Sequence, residues 1–247
     1  MRDAEFNDPR LVQVYDAECP WGIDDDLFLS LADETPGRRI LDLGCGTGRL
    51  TLALMAAGHT VTGVDPARAS LDAARVKPGA GRVTWLEGKA AILPAQAFDL
   101  ALMTSHVAQF LVEDAEWDAA LADLRRSLIP GGRLIFDSRD PGARSWEAWN
   151  PQDSRDHVTL PDGVQVDIWT EVTDITGQLV TFVHHYTFSD SPEELLSRST
   201  LRFRPEETLR STLDAAGFHV EHIYGGWQRE PVGQGDGEFI VVARARK

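Results

Sequence analysis

The chain has 247 residues, 43% of them hydrophobic, which is enough for one α/β domain with an insertion. A formal net charge of −15 at pH 7 argues against nucleic acid or an acidic membrane as a partner, because phosphate-binding surfaces need clustered Lys and Arg. There are two cysteines, no apolar run at the N-terminus and no stretch of about 18 apolar residues. We therefore expect a cytoplasmic protein without disulfides or a membrane span.

Two helices are predicted before the first strand. Apolar residues within 11–15 share one helical face and indicate the first helix. The second helix contains Leu27–Ala32, follows the acidic run Asp24–Asp26 and ends at Pro36-Gly37.

Residues 38–50 contain the strongest motif. Ile40–Leu43 predicts a buried strand that runs into a loop with Gly44, Gly46 and Gly48, and then into a helix. Glycine permits φ > 0 and lets a ligand approach the backbone, and the free N–H groups of a helix N-terminus favour an anion. This segment therefore predicts a cradle for a small ligand with a negatively charged end.

The spacing of this loop indicates which ligand it binds. Arg49 stands where a dinucleotide site, G-x-G-x-x-G, has its third glycine, so an NAD-dependent oxidoreductase is kept only as an alternative. Asp42, two residues before the first glycine, suits a ligand with an amine. Asp65 ends the second predicted strand, about 20 residues after the loop, where an acid can accept hydrogen bonds from both ribose hydroxyls.

The run 42–48, Asp-Leu-Gly-Cys-Gly-Thr-Gly, resembles the first motif of class I S-adenosylmethionine-dependent methyltransferases, in particular their small-molecule group. The resemblance implies that S-adenosylmethionine is the cofactor and S-adenosylhomocysteine the product. It also implies in-line methyl transfer to an N or O nucleophile of a small molecule. The cofactor-binding residues that it implies are Tyr15, Asp42, Gly44, Cys45, Gly46, Asp65, Pro66, Gly88, Lys89, Ala90, Thr104 and Ser105.

Lys89 departs from the pattern of the family, which usually has an acid there that accepts from the adenine amino group. A lysine ammonium has donors only, so only backbone groups at this position could edge the adenine. This departure is the one sequence feature that favours a further alternative, a catalytically inactive protein that binds the cofactor.

The segment that follows the fourth predicted strand, Phe98–Met103, supplies the candidate catalytic residue. Ligands of open α/β sheets bind beyond the carboxyl ends of the strands, which places His106 in position for acid–base work. No closely spaced set of metal-ligating residues occurs in the loops after the fourth and fifth strands, so no metal is predicted.

Residues 139–203 interrupt the α/β pattern with period-two segments, which predict antiparallel strands at about 157–160, 164–173, 179–189 and 196–203. We expect this insert to form a substrate region or lid. Alternation places His184 and Tyr186 on one face and His185 on the other. The candidate substrate-facing residues are Arg139, Trp146, Trp149, His184 and Tyr186.

The expected fold is α/β, with a Rossmann-like, doubly wound, mostly parallel seven-stranded sheet, a C-terminal antiparallel hairpin and an inserted antiparallel sheet. Residues 1–37 would form an N-terminal helical lid, and 38–138 with 204–247 the cofactor-binding domain. The identity of the methyl acceptor and the oligomeric state are left open.

Overall fold

The protein is described by a computed structural model that covers residues 3–35 and 39–247. The predicted helix end at Pro36-Gly37 lies outside these residues. The described α-helices are α1 Ala4–Asn7, α2 Pro9–Glu18, α3 Ile23–Asp33, α4 Arg49–Ala56, α5 Arg68–Arg75, α6 Val107–Phe110, α7 Asp114–Ser127 and α8 Glu206–Ala215. The strands are β1 Arg39–Leu43, β2 Thr60–Asp65, β3 Thr84–Glu87, β4 Phe98–Met103, β5 Leu128–Arg139, β6 Asp156–Thr159, β7 Gln165–Thr176, β8 Leu179–Phe188, β9 Glu194–Arg202, β10 Phe218–Tyr224 and β11 Glu238–Ala245.

Seven strands form the main sheet, in the order β10-β11-β5-β4-β1-β2-β3. Strands β1 to β5 pair in parallel, while β11 is antiparallel to both β5 and β10. Two apolar clusters cover the sheet, one under α7 and α8 and the other under α3 and α4. This arrangement confirms the predicted doubly wound, mostly parallel sheet with its closing hairpin.

Strand β5 contains an irregularity at Pro130-Gly131-Gly132. Its register with β4 shifts there, between Phe98 and Leu100 of β4. Gly131 has φ 82°, a conformation that glycine adopts without steric cost, so the chain bulges and then resumes pairing at Arg133.

The insert is a four-stranded antiparallel sheet in the order β6-β7-β8-β9, and its strands lie within three residues of the predicted bounds. Its inner face packs on the N-terminal helices in an apolar cluster that includes Leu11, Val14, Val166 and Tyr186. The other face carries His185, which stacks on Trp169 with ring centroids 3.5 Å apart. The predicted alternation of the two histidines along β8 is therefore confirmed.

The short helix α6 is held in place from below by Arg204, which is only 1% exposed. Its guanidinium donates to the carbonyl oxygens of Ala108 (3.2 Å) and Leu111 (2.5 Å) and lies over the ring of Trp117. The loop that precedes α6 is thus fixed at the carboxyl edge of the sheet. None of the described helices combines the length and the apolar character needed to cross a bilayer.

Candidate active site

The glycine loop between β1 and α4 forms an open backbone cradle. Gly44, Gly46 and Gly48 all have positive φ (79°, 51° and 81°). A Cβ added to Gly44 would lie 2.4 Å from a methyl carbon of Val107, so the loop packs directly on the start of α6. A Cβ added to Gly46 would meet no heavy atom within 4 Å, which leaves open space in front of its backbone.

Two buried carboxylates brace this cradle. Asp65, at the end of β2, accepts hydrogen bonds from the N–H groups of Gly46 (2.8 Å) and Ala67 (2.7 Å). Asp42, in β1, accepts from the hydroxyl of Thr51 at 2.5 Å with Oδ2, while its Oδ1 is buried without a hydrogen-bond partner. Burial raises the pKa of Asp42 to about 6.

The loop after β4 turns sharply through two non-glycine residues in the left-handed region, Ser105 (φ 54°) and His106 (φ 63°). Such conformations cost free energy and persist only where other contacts impose them. Here the backbone N–H of His106 donates to Oδ2 of Asp137, at the end of β5, at 2.8 Å. The side chain of Ser105 also interacts with Tyr15 of α2, whose pKa is raised by burial.

His106, Asp137 and Glu238 form a cluster at the carboxyl edge of the sheet. The Nε2 atom of His106 lies 3.0 and 3.1 Å from the two carboxylate oxygens of Glu238, in β11, and 3.3 Å from Oδ2 of Asp137. The three residues offer ligand atoms that lie within 4.8 Å of one another, a spacing that a divalent cation could bridge. The sequence predicted no such set, because these residues lie on three separate strands or strand ends.

The protonation of this cluster follows from burial. Burial lowers the pKa of His106 to about 4, since the charged imidazolium loses its hydration. Burial also raises the pKa of Asp137 to about 6 and that of Glu238 to about 7. At neutral pH the imidazole is therefore neutral and can donate its Nε2–H to a neighbouring carboxylate.

Known proteins resemble this chain in sequence and in fold. Residues 40–132 match a family model described as a methyltransferase domain. The cypemycin N-terminal methyltransferase of a Streptomyces species is 30% identical over 208 residues, which are 83% of this chain and 82% of that protein. The chain belongs to the class I S-adenosylmethionine-dependent methyltransferases.

A second relative and a solved structure are also similar to this methyltransferase. The malonyl-[acyl-carrier protein] O-methyltransferase of Serratia marcescens is 32% identical over 133 residues, 53% of this chain and about half (51%) of that protein. The structure of the sugar N-methyltransferase KedS8 from a Streptoalloteichus species superposes with a TM-score of 0.78 at 22% identity, covering 100% of this chain and 96% of that one. Family membership decides against the NAD-dependent oxidoreductase.

The cofactor residues implied by the sequence resemblance lie in one region of the methyltransferase. They stand on α2, near the end of β1, on the glycine loop, and at or beyond the carboxyl ends of β2, β3 and β4. Ala90 is 4% exposed and packs in the core, whereas Pro66 is exposed. Thr104 and Gly88 are partly buried, and Cys45 is buried beneath the loop, where burial raises the pKa of its thiol.

Lys89 does not direct its charge at this region. Its ammonium pairs with a carboxylate oxygen of Glu116, in α7, at 2.5 Å, and the side chain is largely exposed. The departure from the family pattern is thus an ion pair on the surface, which leaves the backbone beside Ala90 as the edge of the predicted adenine site.

The candidate substrate residues separate into two groups. Arg139 lies next to the cluster of His106, Asp137 and Glu238, with its guanidinium over the ring of Trp149. Tyr186 instead is 3% exposed and packs between the insert and the N-terminal helices. Trp146 packs edge-on against Phe203, with centroids 4.6 Å apart.

Arg49, which stands where a dinucleotide site has its third glycine, connects the N-terminal helices to the cradle through polar contacts. Its Nη1 donates to the carbonyl oxygens of Cys19 (2.9 Å) and Pro20 (2.6 Å), and its Nε lies 3.3 Å from the buried carboxylate of Asp25. The chain between α2 and α3 is thereby held against the start of α4.

The variant Arg49→Ala should release this contact. Hydrogen bonds to a charged group contribute about 2 kcal/mol, so amide exchange within 9–26 should become about 30-fold faster, as measured by hydrogen–deuterium exchange. Arg68→Ala, which removes an exposed pair with Asp72 on α5, should leave exchange in 9–26 unchanged. Equal exchange in the Arg49 variant and the wild type would contradict the role given to Arg49.

Proposed function

We propose that this methyltransferase binds S-adenosylmethionine in the glycine cradle and methylates the nitrogen of a small amine, with His106 as the general base. The observation that supports the proposal most strongly is the position of the His106 imidazole, which Glu238 and Asp137 hold at the carboxyl edge of the sheet next to the cradle. The sequence left N and O acceptors open, and the charge of the site favours nitrogen.

The cradle has the features that the cofactor requires. The free space before Gly46 allows a ligand to approach the backbone, and the unpartnered Oδ1 of Asp42 fits an amine or a bridging water near the loop. Asp65 would accept from the ribose hydroxyls, since a carboxylate that receives two N–H groups has lone pairs left. Tyr15 and the backbone at 88–90 would close the two ends of the site.

The N-terminal segment 1–37 and the insert 139–203 would cover this site. Within the described residues, α1 and α2 pack on the inner face of the inserted sheet, and Arg49 ties the same helices to the cradle. A cover of this kind excludes water and holds the acceptor in line with the methyl group.

Bound S-adenosylmethionine supplies a methyl group that is already activated by its sulfonium, so the protein has to orient the acceptor and manage one proton. His106 would accept that proton at Nδ1, which has no hydrogen-bond partner among the described residues. Its Nε2–H then points to Glu238, and the ionised carboxylate stabilises the imidazolium that forms.

The surroundings favour an amine over a hydroxyl acceptor. Asp137 and Glu238 attract the ammonium form of an amine, and Asp24 of α3 adds negative charge near His106. An ammonium needs only one proton removed to become a nucleophile, whereas an aliphatic hydroxyl is a much weaker acid. The cypemycin relative is named an N-terminal methyltransferase and the structurally similar KedS8 a sugar N-methyltransferase, whereas the Serratia relative is named an O-methyltransferase.

Matched acceptors test this function. Pairs of small amines and the corresponding alcohols would be incubated with the protein and S-adenosylmethionine carrying a ¹³C-labelled methyl group, and the products examined by NMR. We expect labelled N-methyl products and release of S-adenosylhomocysteine. O-methyl products from the alcohols, with the amines left unmodified, would contradict the choice of nitrogen.

The pH dependence of kcat tests the role of His106. Because the pKa of Glu238 is about 7, kcat should rise with pH through about 7 as this carboxyl ionises and then level off. Glu238→Gln should remove this rise, and His106→Gln should lower kcat by about 100-fold, the usual scale of general-base catalysis.

His185 provides a matched control for that experiment. It also stands between two carboxylates, Glu194 (2.8 Å) and Glu171 (3.3 Å), but on the outer face of the insert. His185→Gln should leave both kcat and its pH profile unchanged. A wild-type profile in the Glu238 variant would show that Glu238 does not assist the base.

A further inference from the structure

Arg139, the last residue of β5, carries hydrogen-bond donors that the protein leaves unused. Its Nη1 donates to Oε1 of Gln109 at 3.0 Å. Within residues 3–35 and 39–247, no carboxylate oxygen lies within 4.0 Å of its guanidinium, and Nε and Nη2 have no acceptor. Burial lowers the pKa of Arg139, while the charges of Glu238 and Asp137 oppose that shift. A cation placed in such surroundings without an anionic partner in direct contact costs free energy unless a ligand supplies one.

The guanidinium is held rigidly. It lies 5.2 Å from the centroid of Trp149, and that ring packs against Phe182 with centroids 4.9 Å apart. Gln109, which is fully buried, accepts the hydrogen bond from the guanidinium and itself donates to the carbonyl of Arg202 at 3.4 Å. A fork fixed in this way loses little conformational entropy when it binds a planar or tetrahedral anion.

His184 of β8 lies close enough to Arg139 to be affected by its charge and offers a second donor. Its Nδ1 lies 2.7 Å from the hydroxyl of Thr170. Burial, with a contribution from the nearby charge of Arg139, lowers the pKa of His184 to about 4, so the ring is neutral. If Thr170 donates to Nδ1, the Nε2 atom carries the proton, and Nε2 has no partner in the described part of the chain.

We propose that Arg139, assisted by His184, binds an oxyanion on the methyl acceptor, so that the acceptor is a small amine that also carries a carboxylate or a phosphate. The register of β11 on β5 sets Glu238 directly beside Arg139. The amine would therefore lie at His106 and Glu238, and the oxyanion on the other side of Arg139. The placement of the amine rests on the proposed function, whereas the placement of the oxyanion does not.

The charges of the site suit an acceptor that carries a charge of each sign. Asp137 and Glu238 lie on one side of Arg139 and attract an ammonium, and the unused Nε and Nη2 donors attract an anion. An acceptor that carries one ammonium and one carboxylate adds no net charge to this buried region, in contrast to a simple amine.

Binding of simple oxyanions tests the proposal without turnover. Propionate, inorganic phosphate and neutral propionamide would each be titrated into the protein in the presence of S-adenosylhomocysteine, with the thermal midpoint and calorimetric heat as readouts. We expect saturable binding of at least one oxyanion and none of the amide. Binding should be lost in Arg139→Gln and weakened in Arg139→Lys, which keeps the charge but not the fork. The difference between propionate and phosphate identifies the kind of oxyanion.

Arg10→Gln is the matched control, since Arg10 also lies over an aromatic ring, that of Phe188, but on the exposed surface of α2. It should bind the oxyanion as the wild type does. Failure of both oxyanions to bind, equal binding of the amide, or oxyanion binding that survives in Arg139→Gln would each overturn the proposal. Oxyanion binding without S-adenosylhomocysteine binding would instead refute the proposed function and leave the oxyanion site standing.

A second arm uses turnover. Amino acids, their carboxamides and their phosphonate analogues would be compared as acceptors by the release of S-adenosylhomocysteine. The anionic members should have the higher kcat/KM, and Arg139→Gln should lower that kcat/KM about 100-fold and so remove the preference for the anionic members over the carboxamides. A preference for carboxamides in the wild type would contradict the proposal.

Discussion

The hydrogen bond from the backbone N–H of His106 to Asp137 is the contact on which the rest of the site depends. It joins the ends of β4 and β5 and holds two non-glycine residues in the left-handed region, at a cost of about 1–3 kcal/mol each. The turn brings the imidazole back over the sheet edge toward Glu238 and places Val107 against Gly44. One buried carboxylate thus sets the position of the imidazole relative to the cradle.

A second constraint is the cost of burying charge at this edge. Asp137, Glu238 and Arg139 lie close to His106. Burial shifts the pKa of each of these four groups in the direction that favours its uncharged form. Such an arrangement is expensive for stability and typical of functional sites. The arrangement also favours selective binding, since the site can offer carboxylates to a cation and a fixed guanidinium to an anion.

The sequence predicts the sheet and the cradle well because their signals are local. The alternating glycines after Ile40–Leu43, and an acid at the end of the next strand, each follow from a few consecutive residues. The cluster around His106 could not be predicted in this way, since Asp137 and Glu238 reach it from 31 and 132 residues away along the chain. Only the strand order β11-β5-β4 brings them together. Whether the side chain of Glu238 faces His106 depends on the register of β11, and no local sequence pattern specifies that register.

Two other features needed the tertiary structure. In the sequence, Lys89 departs from the pattern of the family. The structure shows that its ammonium forms an ion pair with Glu116 on the surface. Tyr186 has the alternation of a residue that faces a ligand, yet the N-terminal helices pack on that face of the insert and bury it. Long-range packing determines whether such a residue lines a pocket or is buried in a core, because the alternating strand pattern is the same in both.

The central claim is that the edge formed by β1, β2 and β4 is a site for a sulfur nucleoside. Calorimetric titration of the wild-type protein with S-adenosylhomocysteine, with NAD as the comparison, tests it most directly. The account predicts saturable binding of S-adenosylhomocysteine, none of NAD, and a large loss of affinity in Asp65→Ala. Binding of NAD, or undiminished binding of S-adenosylhomocysteine by the Asp65 variant, would contradict it.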